Sequence, residues 1–81
     1  MTLEILTPEK KLFAGEASSV TLPGVDGLFQ LLNNHAPIIS ALGKGTVKYK
    51  TSNGVETLAI TGGFAECLKN KVIVLVEGAV N

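Results

Sequence analysis

Arginine and tryptophan are absent from this 81-residue chain, cysteine and histidine occur once each, and three Phe and one Tyr are its only aromatics. Each scarcity closes off a class of function. Seven Lys balance seven acidic residues to a net charge of zero, whereas a nucleic-acid surface needs a basic face with interleaved aromatics, and an anionic membrane surface needs excess positive charge. Neither partner is expected. Cys67 has no second cysteine to pair with, the N-terminus lacks a basic segment followed by an apolar one, and the longest aliphatic run, Val72 to Val76, is too short to cross a bilayer. These features suit a reducing, cytoplasmic setting without direct membrane insertion.

Scarcity also limits chemistry. His35 has neither a second His nor a nearby Cys at metal-ligand spacing, so it reads as a corner residue. Cys67, between Glu66 and Leu68 in an apolar stretch, reads as a small buried hydrophobe with no basic residue placed to activate it. Glu56, Glu66 and Glu77 fall in separate strands with no paired spacing, which gives no acid–base dyad. Gly43-Lys44-Gly45-Thr46 has the look of a phosphate loop but lacks the preceding Gly and the Lys-Ser/Thr pair. No catalytic, cofactor-binding or metal-ligating residue is assigned, and no cofactor is expected.

What is present is β-strand pattern. The length allows one domain, residues 1–81, near the lower limit for a core without staples, so some apolar surface is expected to stay outside. Leu3–Leu6, Leu12–Ala14 and Val20–Leu22 read as short strands separated by Thr7-Pro8 and Gly15-Glu16. Thr46 to Thr61 reads as a hairpin with Asn53-Gly54 as a type I′ loop, which sets Tyr49 opposite Leu58 and Val47 opposite Ile60. Phe64–Leu68 and Val72–Val76 form a second hairpin around Lys69-Asn70-Lys71. Their near-continuous apolar character predicts a central position buried on both sides. Ile38–Leu42 stays open between strand, turn and packed loop. Val47, Tyr49, Leu58, Ile60, Phe64, Val74 and Leu75 are the expected core. No helical period appears, and the regular turn spacing indicates an all-β fold, an antiparallel β-sandwich or flattened β-barrel of about eight to ten short strands.

The richest stretch runs from Leu22 to Pro37. Pro23, Gly24 and Asp26-Gly27 supply turn chemistry between Leu22 and Leu28, Leu28–Leu32 reads as a buried strand, and Asn33-Asn34 turns the chain into the corner His35-Ala36-Pro37. Pro-Gly-x-x-Gly-x-Phe-x-Leu-Leu-x-x-His-Ala-Pro, then Leu42-x-x-Gly45 and Gly62-Gly63-Phe64-Ala65-Glu66, resembles the epsilon subunit of the F-type ATP synthase over nearly the whole chain. Leu28, Gln30 and Asn33-Asn34 depart from the family's usual residues.

The resemblance implies a β-sandwich that is not itself catalytic. It would be a rotor subunit of the central stalk, monomeric when isolated, that links the gamma subunit to the ring of c subunits and helps couple proton transport to ATP synthesis. It would sit peripherally on the cytoplasmic face of a bacterial inner membrane. The c-ring would meet Gly24, Asp26, Gly27, Leu28 and Gln30. The gamma subunit would meet His35, Ala36, Pro37, Leu42, Gly43 and Gly45. The alternative is a lipoyl- or biotinyl-type carrier with its lysine at the Lys69-Asn70-Lys71 tip, although the acidic-Lys and Met-Lys-Met contexts of such carriers are missing. In most of the family a C-terminal helical hairpin carries the nucleotide contacts and the inhibitory switch, and residues 1–81 contain no such segment. Calorimetry should accordingly detect no saturable ATP heat at millimolar or tighter affinity. A heat specific for ATP over other anions would reveal a site in the β-domain.

Overall fold

The computed structural model describes residues 1–79. Among them are nine strands and no helix: β1 (Thr2–Leu6), β2 (Lys11–Glu16), β3 (Ser19–Gly24), β4 (Gly27–Leu32), β5 (Ile38–Leu42), β6 (Gly45–Thr51), β7 (Gly54–Ile60), β8 (Gly62–Leu68) and β9 (Lys71–Glu77). They make one curled sheet in the order β2-β1-β9-β8-β5-β3-β6-β7, with β4 on β3. Ile38–Leu42, left open by its sequence, is a full strand paired along β8. One pairing departs from the all-antiparallel expectation, because β1 runs parallel to β9 from Thr2 opposite Lys71 to Leu6 opposite Leu75. A parallel pair needs a long crossover. Here all the intervening strands serve as that crossover, which local pattern cannot announce.

The sheet doubles over where β5 meets β3 through the single pair Gly24 and Leu42. Between the layers lie Leu3, Ile5, Ala65, Cys67, Val72, Val74 and Val76 from one side and Val20, Leu22, Leu31, Val47, Leu58 and Ile60 from the other, all buried. Phe13 of β2 meets Tyr49 of β6 with ring centroids 4.7 Å apart and planes at 47°, a tilted arrangement that closes the side of the core.

Several expectations need correcting. Phe64 and Leu75 are not core: they are 59% and 43% exposed. In β4 only Leu31 is fully buried, while Leu28 and Leu32 stand out in solvent. In the β6–β7 hairpin Thr51 faces Gly54, Tyr49 faces Glu56 and Val47 faces Leu58, so the loop is Ser52-Asn53 and the register differs from expectation by two residues. A type I′ loop needs positive φ at both central residues, but of the pair Asn53-Gly54 only Gly54 has it, at 114°. The Thr51 hydroxyl accepts the Asn53 N–H at 3.1 Å and holds this reversal. A shift of two keeps every side chain on its face, so Val47 and Leu58 remain inside. Positive φ at two central residues occurs instead at Lys69 (51°) and Asn70 (62°), the tip of the β8–β9 hairpin.

Gly63 is a point of close backbone approach between β8 and β9. At φ 149° a Cβ there would lie 2.1 Å from the Leu75 carbonyl oxygen, so no larger residue fits without moving β9.

Burial first, and the Glu56 carboxylate second, hold the Tyr49 phenol above its ordinary value of 10.0. The folded state therefore favours the neutral phenol. Its stabilisation is complete below the unfolded tyrosine value of about 10 and is lost as pH rises through the folded one. Urea unfolding of wild type and Tyr49→Phe across alkaline pH should show wild type losing stability relative to the variant as pH climbs. A difference that stays constant would contradict the shift.

Candidate interaction surface

β8 and β9 are apolar at both parities, but only one parity meets the core: burial alternates along both strands. A two-layer fold covers one face of each sheet, so the second face of this hairpin is left outside. Strand register assembles that face. One row reads Ala41, Phe64, Leu75 and Leu6, and the next reads Ile39, Glu66, Ile73 and Glu4. Leu68 and Lys71 begin a third row. Ile39 is 74% exposed and Leu68 50%. This continuous apolar face on β5-β8-β9-β1 is of the kind that marks an interface. The sequence signal was there, in two apolar parities where a half-covered strand needs one. Reading it as burial on both sides missed Ile39 and Leu68 and misplaced Phe64.

The outer face of the other layer differs. Its rows read Gln30, Thr21, Lys48, Thr57 and Leu32, Ser19, Lys50, Val55, and its polar side chains suit water. The two outer faces thus give the domain a sticky side and a wet side.

The turn between β3 and β4 is built by Val25-Asp26, with Gly27 at φ 127°. Val25, Asp26 and Leu28 are exposed, Leu28 at 75%. Two backbone bonds tie the turn to the end of β5: the Val25 N–H donates to the Ala41 carbonyl at 3.0 Å, and the Gly43 N–H donates to the Pro23 carbonyl at 2.8 Å. Gly45 lies against buried Pro23, where a Cβ would come within 2.6 Å of the proline ring. Gly24, Asp26, Gly27, Leu28 and Gln30 are thus gathered on one hairpin, with Gly43 and Gly45 beside it. Leu42 points into the core, so its role here is to hold the turn.

His35, Ala36 and Pro37 lie at the other end of β5, roughly 13 Å away for five extended residues, and all three are exposed. Asn34 takes φ 63°, and its N–H donates to the Asn70 side-chain oxygen at 2.7 Å. The His35 N–H donates to the Leu32 carbonyl at 3.2 Å, and the ring Nδ1 lies 2.7 Å from the Ala36 carbonyl oxygen. Cys67 is buried, its thiol directed at the His35 carbonyl oxygen 3.9 Å away. The residues expected to meet the gamma subunit therefore split between the two ends of β5, and the outer side chains between them are Ile39 and Ala41. Among the described residues no three His, Cys, Asp or Glu are grouped to hold a metal ion, and no helix is long and apolar enough to cross a membrane. What this surface can do is bind by shape and burial.

The chain matches the family described as ATP synthase, Delta/Epsilon chain, beta-sandwich domain, over residues 1–81. The ATP synthase epsilon chain of Chlorobaculum tepidum is 49% identical over 77 residues, 94% of this chain and 88% of that one. That of Maridesulfovibrio salexigens is 42% identical over 79 residues, 98% of this chain but 56% of the relative. Among solved structures, a chain of the Euglena gracilis mitochondrial ATP synthase (OSCP/F1/c-ring) superposes with a TM-score of 0.88 at 21% identity, over 96% of this chain and 51% of its own. A chain of the Tetrahymena thermophila mitochondrial ATP synthase central stalk and c-ring gives 0.83 at 17% identity, over 99% and 65%. At such identities these two likenesses speak for the fold.

Exposure separates the two kinds of apolar residue experimentally. Leu22→Ala, in the core, should cost about 2–5 kcal/mol, whereas Phe64→Ser should stay within about 1 kcal/mol of wild type while lowering binding of an apolar dye. Urea unfolding and dye fluorescence check both.

Proposed function

Because this chain belongs to the ATP synthase Delta/Epsilon β-sandwich family, we propose that it works as a non-catalytic rotor subunit of the central stalk, joining the gamma subunit to the c-ring. It is monomeric when isolated and peripheral at the cytoplasmic face of the membrane. The observation that carries this reading is the apolar outer face of β5-β8-β9-β1 beside an exposed, well-tethered turn at one end of the same sheet. A rotor part transmits torque by shape and burial, which calls for apolar area and a stiff sheet. Family membership leaves no place for the carrier alternative, although Lys69 does stand at a hairpin tip.

In this reading the gamma subunit covers the apolar face and both ends of β5: His35, Ala36 and Pro37 at one, and the Leu42–Gly45 segment at the other. The c-ring meets the turn, with Gly24 and Gly27 shaping it and Asp26, Leu28 and Gln30 making contact. Asp26 is the one charge of the turn and can accept a charge-assisted bond from a basic loop residue. Leu28, three-quarters exposed, adds burial where many relatives carry an acid.

Reconstituted complexes washed at low and high salt test the assignment. Asp26→Lys should loosen attachment most at low ionic strength, and Leu28→Asp should loosen it with little salt dependence. Full retention of both folded variants would send this turn elsewhere.

A further inference from the structure

The apolar outer face carries two carboxylates in one row, Glu66 and Glu4, and among the described residues only Glu66 has no partner. Glu66 projects from the middle of β8, with Ile39 and Ile73 opposite it on the neighbouring strands. Phe64 and Leu68 flank it along its own strand on the same face. Among the described residues no hydrogen bond or ion pair engages its carboxylate, and the two ion pairs present there join Met1 to Glu16 and Lys11 to Glu4. Lys71 is the nearest cation of the face, diagonal to Glu66 across β8 and β9, and it forms no ion pair with it. Glu4 carries a second charge in the same row but is already paired with Lys11 at 3.7 Å.

We propose that Glu66 is the specificity-determining contact of this face, and that the surface covering it is apolar with one Arg or Lys placed to meet the carboxylate. The inference rests on the reading above, in which the gamma subunit is that surface.

A carboxylate ringed by Ile39, Ile73, Phe64 and Leu68 loses its water when the face is covered, and an ionised group so buried is tolerated only with a partner. A purely apolar partner would leave the charge stranded. A second copy of this chain, packed face to face about a two-fold axis, would bring another unpaired carboxylate into the same apolar patch, with only Lys71 at the end of the face to offset it. Both are disfavoured, and a surface with one matched cation is selected. Arg suits the position best, because its planar fork binds both carboxylate oxygens and stacks on a ring such as that of Phe64. Glu66 in this way keeps an exposed apolar face from adhering to itself before assembly.

The test measures binding of the full chain to an immobilised gamma-containing ATP synthase core depleted of this subunit. Wild type, Glu66→Gln, Glu66→Lys and Phe64→Ser are compared, with urea unfolding of each free chain and sedimentation to report self-association. The expected result is a loss of at least about 30-fold for Glu66→Gln and more for Glu66→Lys, with unfolding midpoints near wild type. Phe64→Ser should also weaken binding. If Phe64→Ser abolishes binding while both Glu66 variants bind like wild type, the face is the interface but the carboxylate does not select the partner, and the proposal is overturned. If all three variants bind like wild type, the face is not what the gamma subunit covers, and the underlying reading falls with it. A wild-type dimer that Phe64→Ser converts to monomer would make the occupant a second copy and would also overturn the proposal.

Discussion

A β-strand shows its side chains alternately to two faces, and a domain of this size can cover only one face of each layer. Nearly every feature of the molecule follows from how that constraint is met. The inner side chains of β1, β3, β8 and β9, with Val47 of β6, are apolar and withdrawn from water. The outer parities had two options and the two layers took one each. Lys48, Lys50, Thr21 and Gln30 make the outer face of β4-β3-β6-β7 wettable, while Ile39, Phe64, Leu68 and Leu75 leave the other outer face apolar.

Holding the sheet doubled over takes a few positions where backbones come unusually near. Gly63 lets β8 approach the Leu75 carbonyl, and Gly45 lets β6 approach Pro23. Those contacts lie at the end of the sheet that carries the β3–β4 turn, so the apolar face and the turn belong to one stiff piece. The parallel pairing of β1 with β9 ties the first and last strands of the described chain together, one strand in from the β2 edge of the sheet. Stiffness of this kind suits a part that passes on motion without chemistry of its own. The tilted Phe13–Tyr49 pair closes the core at the opposite side, and the partial burial of Tyr49 makes that closure sensitive to alkaline pH.

A face that must stay soluble before it is covered, and bind one partner afterwards, carries conflicting demands. Apolar area gives binding free energy but no discrimination. An unpaired carboxylate within that area costs little in water and much when covered wrongly. Glu66 holds that place, with Ile39 and Ile73 opposite it, Phe64 and Leu68 along its own strand, and Lys71 diagonal to it without an ion pair.

Much of this was legible in the residues, and for local reasons. Alternation and turn chemistry depend on a few neighbouring positions, so the all-β class, the central β8–β9 hairpin and the buried Cys67 could be read directly. So could the family, from Pro23, Gly24, Gly27, Phe29, His35, Pro37, Gly62 and Gly63 in order. The tertiary structure alone decided what depends on distant partners. The parity of a strand does not say whether a second layer lies over it, so Phe64 and Leu75 could not be told from core by pattern. Turn preference at Asn53-Gly54 could not overrule the pairing of β6 with β7, because a slip of two residues leaves each face intact and only packing and the Thr51 hydroxyl distinguish the registers. Pairing β1 with β9 and setting Leu42–Gly45 against the Val25-Asp26 turn join segments far apart in sequence, and the energy that selects them comes from filling one shared core.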